Sequence, residues 1–209
     1  DDVGLLLLMG ALTSFVLGIG MTVTAAYIFL AVVLAPALVS QDLDPLSVHL
    51  FILYWAMLSY ITPPVALGAY AAASIAEANP LKTGFAAMTM GSVIYVIPFI
   101  FVLDPAFILE SDTLSSMQVV LEALIGVWLI CGGLQGFLSG YGRLNHYSVR
   151  IALAVGGLLI ALPYMGIAWP EAPANTVHLM IGVVLVGIGV LANFVVFSQD
   201  PKASQADNS

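Results

Sequence analysis

The residues of this chain best placed to do chemistry carry no charge. Two short stretches, Gly18-Ile19-Gly20-Met21-Thr22-Val23-Thr24 and Ser59-Tyr60-Ile61-Thr62-Pro63-Pro64, set glycine, hydroxyl and proline residues inside long apolar runs. Two consecutive prolines remove two backbone donors and crowd the preceding turn, so the carbonyls of residues 59–61 lose their intrahelical partners. In lipid such carbonyls must find another partner. The glycine and threonine stretch allows a turn and a helix restart with Thr22 or Thr24 as its cap.

Freed carbonyls and threonine hydroxyls are the hard oxygen ligands that a dehydrated sodium ion takes, while a half-helix N-terminus offers amides and a positive dipole to a carboxylate. Ser59, Tyr60, Ile61 and Thr62 suit the first role, and Gly20, Thr22 and Thr24 suit either. In the plainer alternative, Pro63-Pro64 kinks a packing helix and the Gly/Thr cluster is a tight interhelical turn. Two breaks without a cavity would leave backbone groups unsatisfied, which favours the functional reading.

Other chemistries find little to work with. The single Cys131 forms no internal disulfide, and no Cys/His cluster has the spacing of a metal site. Neither a Ser/His/Asp set nor paired acids stand at helical spacing, so no enzyme and no cofactor are expected. Twelve acids against four bases give a formal charge of -8, which argues against nucleic acid as a partner.

The composition places these stretches in a bilayer. Of 209 residues, 61% are hydrophobic and 8% charged, with a mean hydropathy of +1.08; soluble domains carry about 25% charged residues. No Asp, Glu, Lys or Arg occurs at 3–41, 45–76 or 83–103, and about 20 apolar residues suffice to cross a membrane. The expected fold class is therefore an all-α polytopic membrane protein, with a helical hairpin, a broken transmembrane helix and about four further spanning helices.

Apolar segments fall near 3–19, 24–40, 45–61, 65–78, 82–103, 114–138, 149–168 and 175–197, and the last four read as ordinary spans. The pair 45–78 would run about 50 Å as one helix against a hydrocarbon core of about 30 Å, so it must break, and Thr62-Pro63-Pro64 is the natural place. The chain opens Asp1-Asp2-Val3, with no initiator Met and no basic segment, and reads as part of a longer protein.

One crossing for each of the last four segments puts Lys82, Arg143, Arg150 and Lys202 on one face, and Asp42, Asp44, Asp104, Glu110, Asp112 and Glu171 on the other. The excess of basic residues marks the first face as cytoplasmic.

A family resemblance is carried by residues 18–27 (Gly-Ile-Gly-Met-Thr-Val-Thr-Ala-Ala-Tyr), Ala35-Pro36-Ala37-Leu38, His49-Leu50-Phe51, residues 61–67 (Ile-Thr-Pro-Pro-Val-Ala-Leu), Ala69-Tyr70-Ala71-Ala72-Ala73 and Lys82-Thr83-Gly84-Phe85. In that order they resemble the second repeat of the large membrane subunit of TRAP (tripartite ATP-independent periplasmic) transporters, most closely the fused 4TM/12TM type. The likeness is detailed over residues 1–110 and rests on position and apolar character beyond them.

The resemblance implies a sodium-coupled permease working by an elevator mechanism, importing an organic acid delivered by a periplasmic solute-binding protein across the bacterial inner membrane. It implies residues 1–41 as the second hairpin of a transport domain, 42–81 as its broken helix, 82–112 as the following transmembrane helix, 113–198 as a C-terminal three-helix extension and 199–209 as a disordered tail. Gly18, Gly20, Met21, Thr22 and Thr24, with Ser59, Tyr60, Ile61 and Thr62, become one half of an ion site. Thr22, Thr24, Thr62, Pro63 and Pro64 become the substrate face. The other half is expected on an N-terminal remainder of the same permease. Thr22-Val23-Thr24 stands where the pattern has Pro-Thr-Thr, and Tyr60 where it has an acid, so at Val23 and Tyr60 only backbone ligation carries over. The rival reading is a non-transporting structural membrane subunit.

Of the remaining polar residues, Glu122 reads as a carboxylate snorkelling to the outer interface, and His49, His146 and His178 as interface anchors. Tyr54, Trp55, Tyr95, Trp128, Tyr164 and Trp169 read as belt or core aromatics, the last two as belt. Gly132, Gly136 and Gly140 recur every four residues, a spacing that permits close intramolecular helix packing.

Overall fold

A computed structural model describes residues 3–139, 141–144, 146–162 and 174–197, without the side chains of 174–178 and 192–197. Two compact units divide the chain, Asp1–Val120 and Leu121–Ser209.

The first unit starts with α1 (Val3–Gly20), which ends where Gly20 and Met21 break the ladder. Thr22 then caps α2 (Val23–Val33), its hydroxyl accepting from the Ala25 amide at 3.4 Å. α3 (Ala35–Val39) continues the return arm past a step at Leu34, where Pro36 in the first turn lacks an amide. The turn folds this arm back on α1: a Cβ on Gly10 would lie 3.2 Å from Leu34 Cδ2. Residues 3–39 thus form a helical hairpin with its tip at Met21 and Thr22.

Asp44, accepting from the Ser47 amide at 2.7 Å, and Pro45 start α4 (Pro45–Met57). Both hairpin arms pack on α4. The core is built from Leu7, Leu30, Leu38, Phe51, Ile52 and Trp55, where α1, α2, α3 and α4 meet, and from Phe101 and Val102. Around Trp55 the aromatics pack edge to face, with Phe15 at 6.3 Å, Phe99 at 5.8 Å and Tyr95 at 6.1 Å between ring centroids.

The helical path breaks after α4, as the proline pair requires, but over a longer interval. A 3-10 turn (Leu58–Tyr60) precedes the prolines, and α5 (Leu67–Ile75) starts only after Ala66. Asn79 and Pro80 start α6 (Pro80–Met90), which was expected to run straight through 82–103. Instead it stops at Gly91, where the path turns by 64° into Ser92–Leu103, made of a 3-10 turn (Ser92–Tyr95) and α7 (Ile97–Leu103). Pro98 in the first turn of α7 has no amide to donate, which suits a helix start and not the interior of a continuous helix. A third interruption therefore joins the two read from the sequence.

Asp112 heads α8 (Thr113–Gln135), accepting from the Ser115 amide at 3.1 Å. The hydrogen bonds from Ser115 hold the Asp112 carboxyl below the usual carboxylate range. This cap acts at neutral pH and is lost as pH falls through that lowered value.

In the second unit α8 runs on to Gln135 and ends at Gly136, whose φ of 73° suits the left-handed position after a helix. A two-stranded turn pairs β1 (Phe137–Leu138) with β2 (Gly142–Arg143), leading to α9 (Tyr147–Ala161) and α10 (Ala174–Phe197). Arg150 donates from Nε to the Gly133 carbonyl at 2.9 Å and from its terminal nitrogen to the Leu134 carbonyl, placing a cation on the negative end of α8.

Glycines set the helix spacing here, but not the expected row. Gly132 faces Leu138, Gly136 ends the helix and Gly140 lies outside the described residues. Gly126 and Gly133 of α8 instead meet α9 at Gly157 and Ala154, and Gly156 of α9 meets Gly182 of α10. Without a hydrophobic drive between helices in lipid, such backbone approach supplies the packing. Of the last spans, α9 covers the start of 149–168 and α10 covers 175–197. Glu171, Lys202, Tyr164, Trp169 and the tail 199–209 lie outside the described residues, as does the side chain of His178.

Large apolar side chains face outward throughout, among them Leu5, Val32, Leu114 and Met180. Such a surface is stable in lipid and not in water. α1 and α8 are each long and apolar enough to cross a membrane, and the bent α6 and α7 pair is so jointly.

A Cβ on Gly157 would lie 2.7 Å from the Gly126 carbonyl oxygen and 2.8 Å from Leu129 Cβ. Gly157→Val is expected to lower stability by about 1–3 kcal/mol, the usual cost of overpacking. Thermal unfolding in detergent, with Gly187→Val as control because its Cβ would meet nothing within 4 Å, measures the difference.

Candidate functional site

The hairpin tip and the α4 to α5 break meet at one cavity of about 300 Å³. Ile19, Gly20, Met21, Thr22 and Val23 line it from the tip, and Ser59, Tyr60, Val65 and Leu67 from the break. Gly18 allows the approach: a Cβ there would lie 3.2 Å from the Ala56 carbonyl oxygen, so α1 sits directly on the end of α4. No charged side chain lines this cavity.

Beside the hydroxyls of Thr22, Ser59 and Tyr60, main-chain groups lend it polar character. The Thr62 amide bonds back to the Leu58 carbonyl at 3.0 Å, and Pro63 and Pro64 have no amide. The carbonyls of Ser59, Tyr60 and Ile61 consequently have no hydrogen-bond donor among the described residues. Opposite charge comes from helix starts. α5 begins at Ala66, a left-handed residue (φ 37°, ψ 44°) with no side-chain cap, and the first-turn amides of residues 67–69 find no acceptor among the described residues. The amides of residues 21–24 are equally unpaired with backbone, save that Thr22 caps one turn further on. Two positive helix ends and two residues with free carbonyls, Ser59 and Tyr60, therefore border one small space.

The structure sorts the residues singled out in the sequence. Gly20, Met21, Thr22, Ser59 and Tyr60 reach the cavity wall. The Ser59 hydroxyl donates to the Ala56 carbonyl at 3.1 Å, which fixes its direction and leaves its lone pairs, with the Ser59 carbonyl, as acceptors. Gly18 is a packing residue, and Thr24 is exposed on α2 away from the wall. Ile61, Thr62, Pro63 and Pro64 do not line the cavity either. Thr62 is 2% exposed and its hydroxyl meets Tyr95 Oη at 3.1 Å. Pro63 is pressed against α6, where a Cβ on Gly84 would lie 2.7 Å from its Cγ.

Sequence reasoning missed two wall residues, Val65 and Leu67, which carry no polar signal and are fixed only by the convergence of the two breaks; Ile19 and Val23 fall inside the hairpin stretch already singled out, Val23 for its backbone alone. It also missed the role of the bend after Gly91; Gly91 and Pro98 mark it, but their charge-free surroundings read as one helix. His49, expected as an interface anchor, meets Tyr27 Oη at 3.1 Å through Nδ1, tying α4 to the hairpin arm α2. Tyr54, Trp55 and Tyr95 are core aromatics and Trp128 is 46% exposed. Glu122 is half-buried on α8. Among the described residues no group of His, Cys, Asp and Glu could hold a metal ion.

Residues 1–112 match the family model described as DctM, Tripartite ATP-independent periplasmic transporter, DctM component. Comparisons with curated proteins and with solved structures return no match.

Cysteine scanning in a Cys131→Ala background checks the geometry. Met21→Cys and Tyr60→Cys, at positions 37% and 44% exposed, are expected to react readily with a small maleimide in membranes. Thr62→Cys, buried behind the cavity, is expected to stay unmodified; rapid labelling there would place Thr62 on the wall.

Proposed function

Because this chain belongs to the DctM component family of tripartite ATP-independent periplasmic transporters, we propose that the cavity between the hairpin tip and the α4 to α5 break is one half of a sodium and organic-acid site in a secondary transporter permease. The observation that carries this reading is the convergence of unpaired carbonyls and uncapped helix starts on one space with no charged side chain.

A sodium ion takes the carbonyls of Ser59 and Tyr60, together with main-chain groups of Gly20 and Met21 and the Thr22 hydroxyl, while Gly18 and Ile61 stand behind the wall. The carboxylate of the substrate takes the helix starts at Thr22 and Leu67. Thr24, Thr62, Pro63 and Pro64 act from behind the wall by fixing where those starts point. Ion and substrate couple because each favours the closed site, so occupancy by one raises affinity for the other.

The remaining half of the site belongs to an N-terminal remainder of the same permease, and a periplasmic solute-binding protein supplies the organic acid. The location is the bacterial inner membrane, with Lys82, Arg143, Arg150 and Lys202 on the cytoplasmic side, and transport proceeds by an elevator-like displacement of the hairpin and broken helix.

Gly20 lines the cavity and a Cβ on it would meet nothing within 4 Å, so a longer side chain there adds bulk at the cavity wall without a clash. In proteoliposomes holding the complete transporter, uptake is expected to require an inward sodium gradient, and Gly20→Leu to abolish it with an unchanged thermal midpoint. Normal uptake by Gly20→Leu would exclude this cavity, and a structural subunit would tolerate the change. Sidedness is read separately from Ser111→Cys and Ser139→Cys without Cys131: an impermeant thiol reagent added outside should label 111 and spare 139. The reverse pattern inverts the topology.

A further inference from the structure

The unpaired carbonyls of residues 59–61 present a physical problem: without a hydrogen-bond ladder, something else must hold their directions. The bend between α6 and α7 supplies it. Tyr95, in the 3-10 turn at that bend, places its hydroxyl 3.1 Å from Thr62 Oγ1, the first residue after the free carbonyls. Its ring packs edge to face on Trp55, in the last turn of α4 before them, at 6.1 Å. One side chain therefore grips the chain on both sides of the open interval.

Two glycines bring the bend close enough for this. A Cβ on Gly91 would lie 3.0 Å from Ile61 Cδ1, and one on Gly84 would lie 2.7 Å from Pro63 Cγ. Ile61, Thr62 and Pro63 are thus each seated on the bent pair, while Ser59 and Tyr60 just before them line the cavity. The path turns by 64° after Gly91, and Tyr95 lies in the 3-10 turn that follows directly.

We propose that Tyr95 is a positioning residue for ion binding: through its hydroxyl on Thr62 it fixes the orientation of the carbonyls of residues 59–61, and the bend of α6 and α7 exists to deliver it. This rests on the ion-site reading above, and Tyr95 itself touches no ion. Losing the hydroxyl leaves the ring packed on Trp55, so the protein folds, while the carbonyls gain freedom that ion binding must then remove.

Tyr95→Phe, Thr62→Val and the double variant test this in proteoliposomes of the complete transporter. Each single change is expected to raise the half-saturating sodium concentration about fivefold, the effect of one ordinary hydrogen bond, with the maximal rate little changed. The double variant should be no worse than either single one, because all three lose the same bond. An unchanged half-saturation in Tyr95→Phe, additive losses in the double variant, or a fall in maximal rate alone would overturn the proposal. Wild-type uptake indifferent to sodium would instead overturn the sodium assignment, and the same three variants would then be scored on half-saturation by the transported acid, where an unchanged value again defeats Tyr95.

Discussion

A peptide group surrounded by hydrocarbon has to be hydrogen-bonded, and everything distinctive in the first 112 residues follows from the places where that rule is suspended. A carbonyl without a donor in an apolar medium costs several kcal/mol, so it persists only if the surrounding structure over-determines it or a ligand completes it. Around residues 59–61 both conditions have a structural basis. The cavity leaves room for a ligand, and Trp55, Tyr95, Gly84 and Gly91 hold the flanking residues in place. The hairpin tip then has a reason to be where it is: Gly18 lets α1 settle on the Ala56 carbonyl and brings a second helix start to the same space.

The two units meet the demands of lipid by different means. Residues 1–120 have large interlocking side chains at their centre, with the Trp55 ring touched by four other aromatics. In the second unit the corresponding contacts are backbone against backbone, at Gly126 with Gly157 and at Gly156 with Gly182. Aromatic packing tolerates the irregular backbone that a site with two breaks requires, because a ring can fill the gap that a missing turn leaves. Glycine packing requires long regular helices, and α8, α9 and α10 are regular.

Much of the first unit was legible in the sequence because proline and glycine act locally. Pro63-Pro64 removes donors wherever it sits, and Gly18-Ile19-Gly20 with Thr22 announces a helix end and a cap; the structure places both breaks where these residues demand. The bend at residues 91–96 was not legible, since a single glycine in an apolar run is as compatible with a straight span as with a break, and Pro98 acts only in concert with what α7 packs against. Side-chain direction was legible least. Thr62 reads as a ligand by type and neighbourhood, yet its hydroxyl turns to Tyr95, a partner 33 residues away that no local pattern identifies. The glycine row at 132, 136 and 140 failed for a related reason: spacing gives a face of a helix, but only the neighbouring helix decides which face is used.

The cavity wall presents main-chain atoms to any bound ion or acid, and its side chains are chiefly apolar. Selection on such a surface acts on the spacing of glycine and proline and on the volume of Ile19, Met21, Val23, Val65 and Leu67, while side-chain chemistry is free to drift. Chains could then differ in nearly every residue of the wall and still keep the same breaks and the same cavity, and a comparison restricted to polar identities would pass over the likeness.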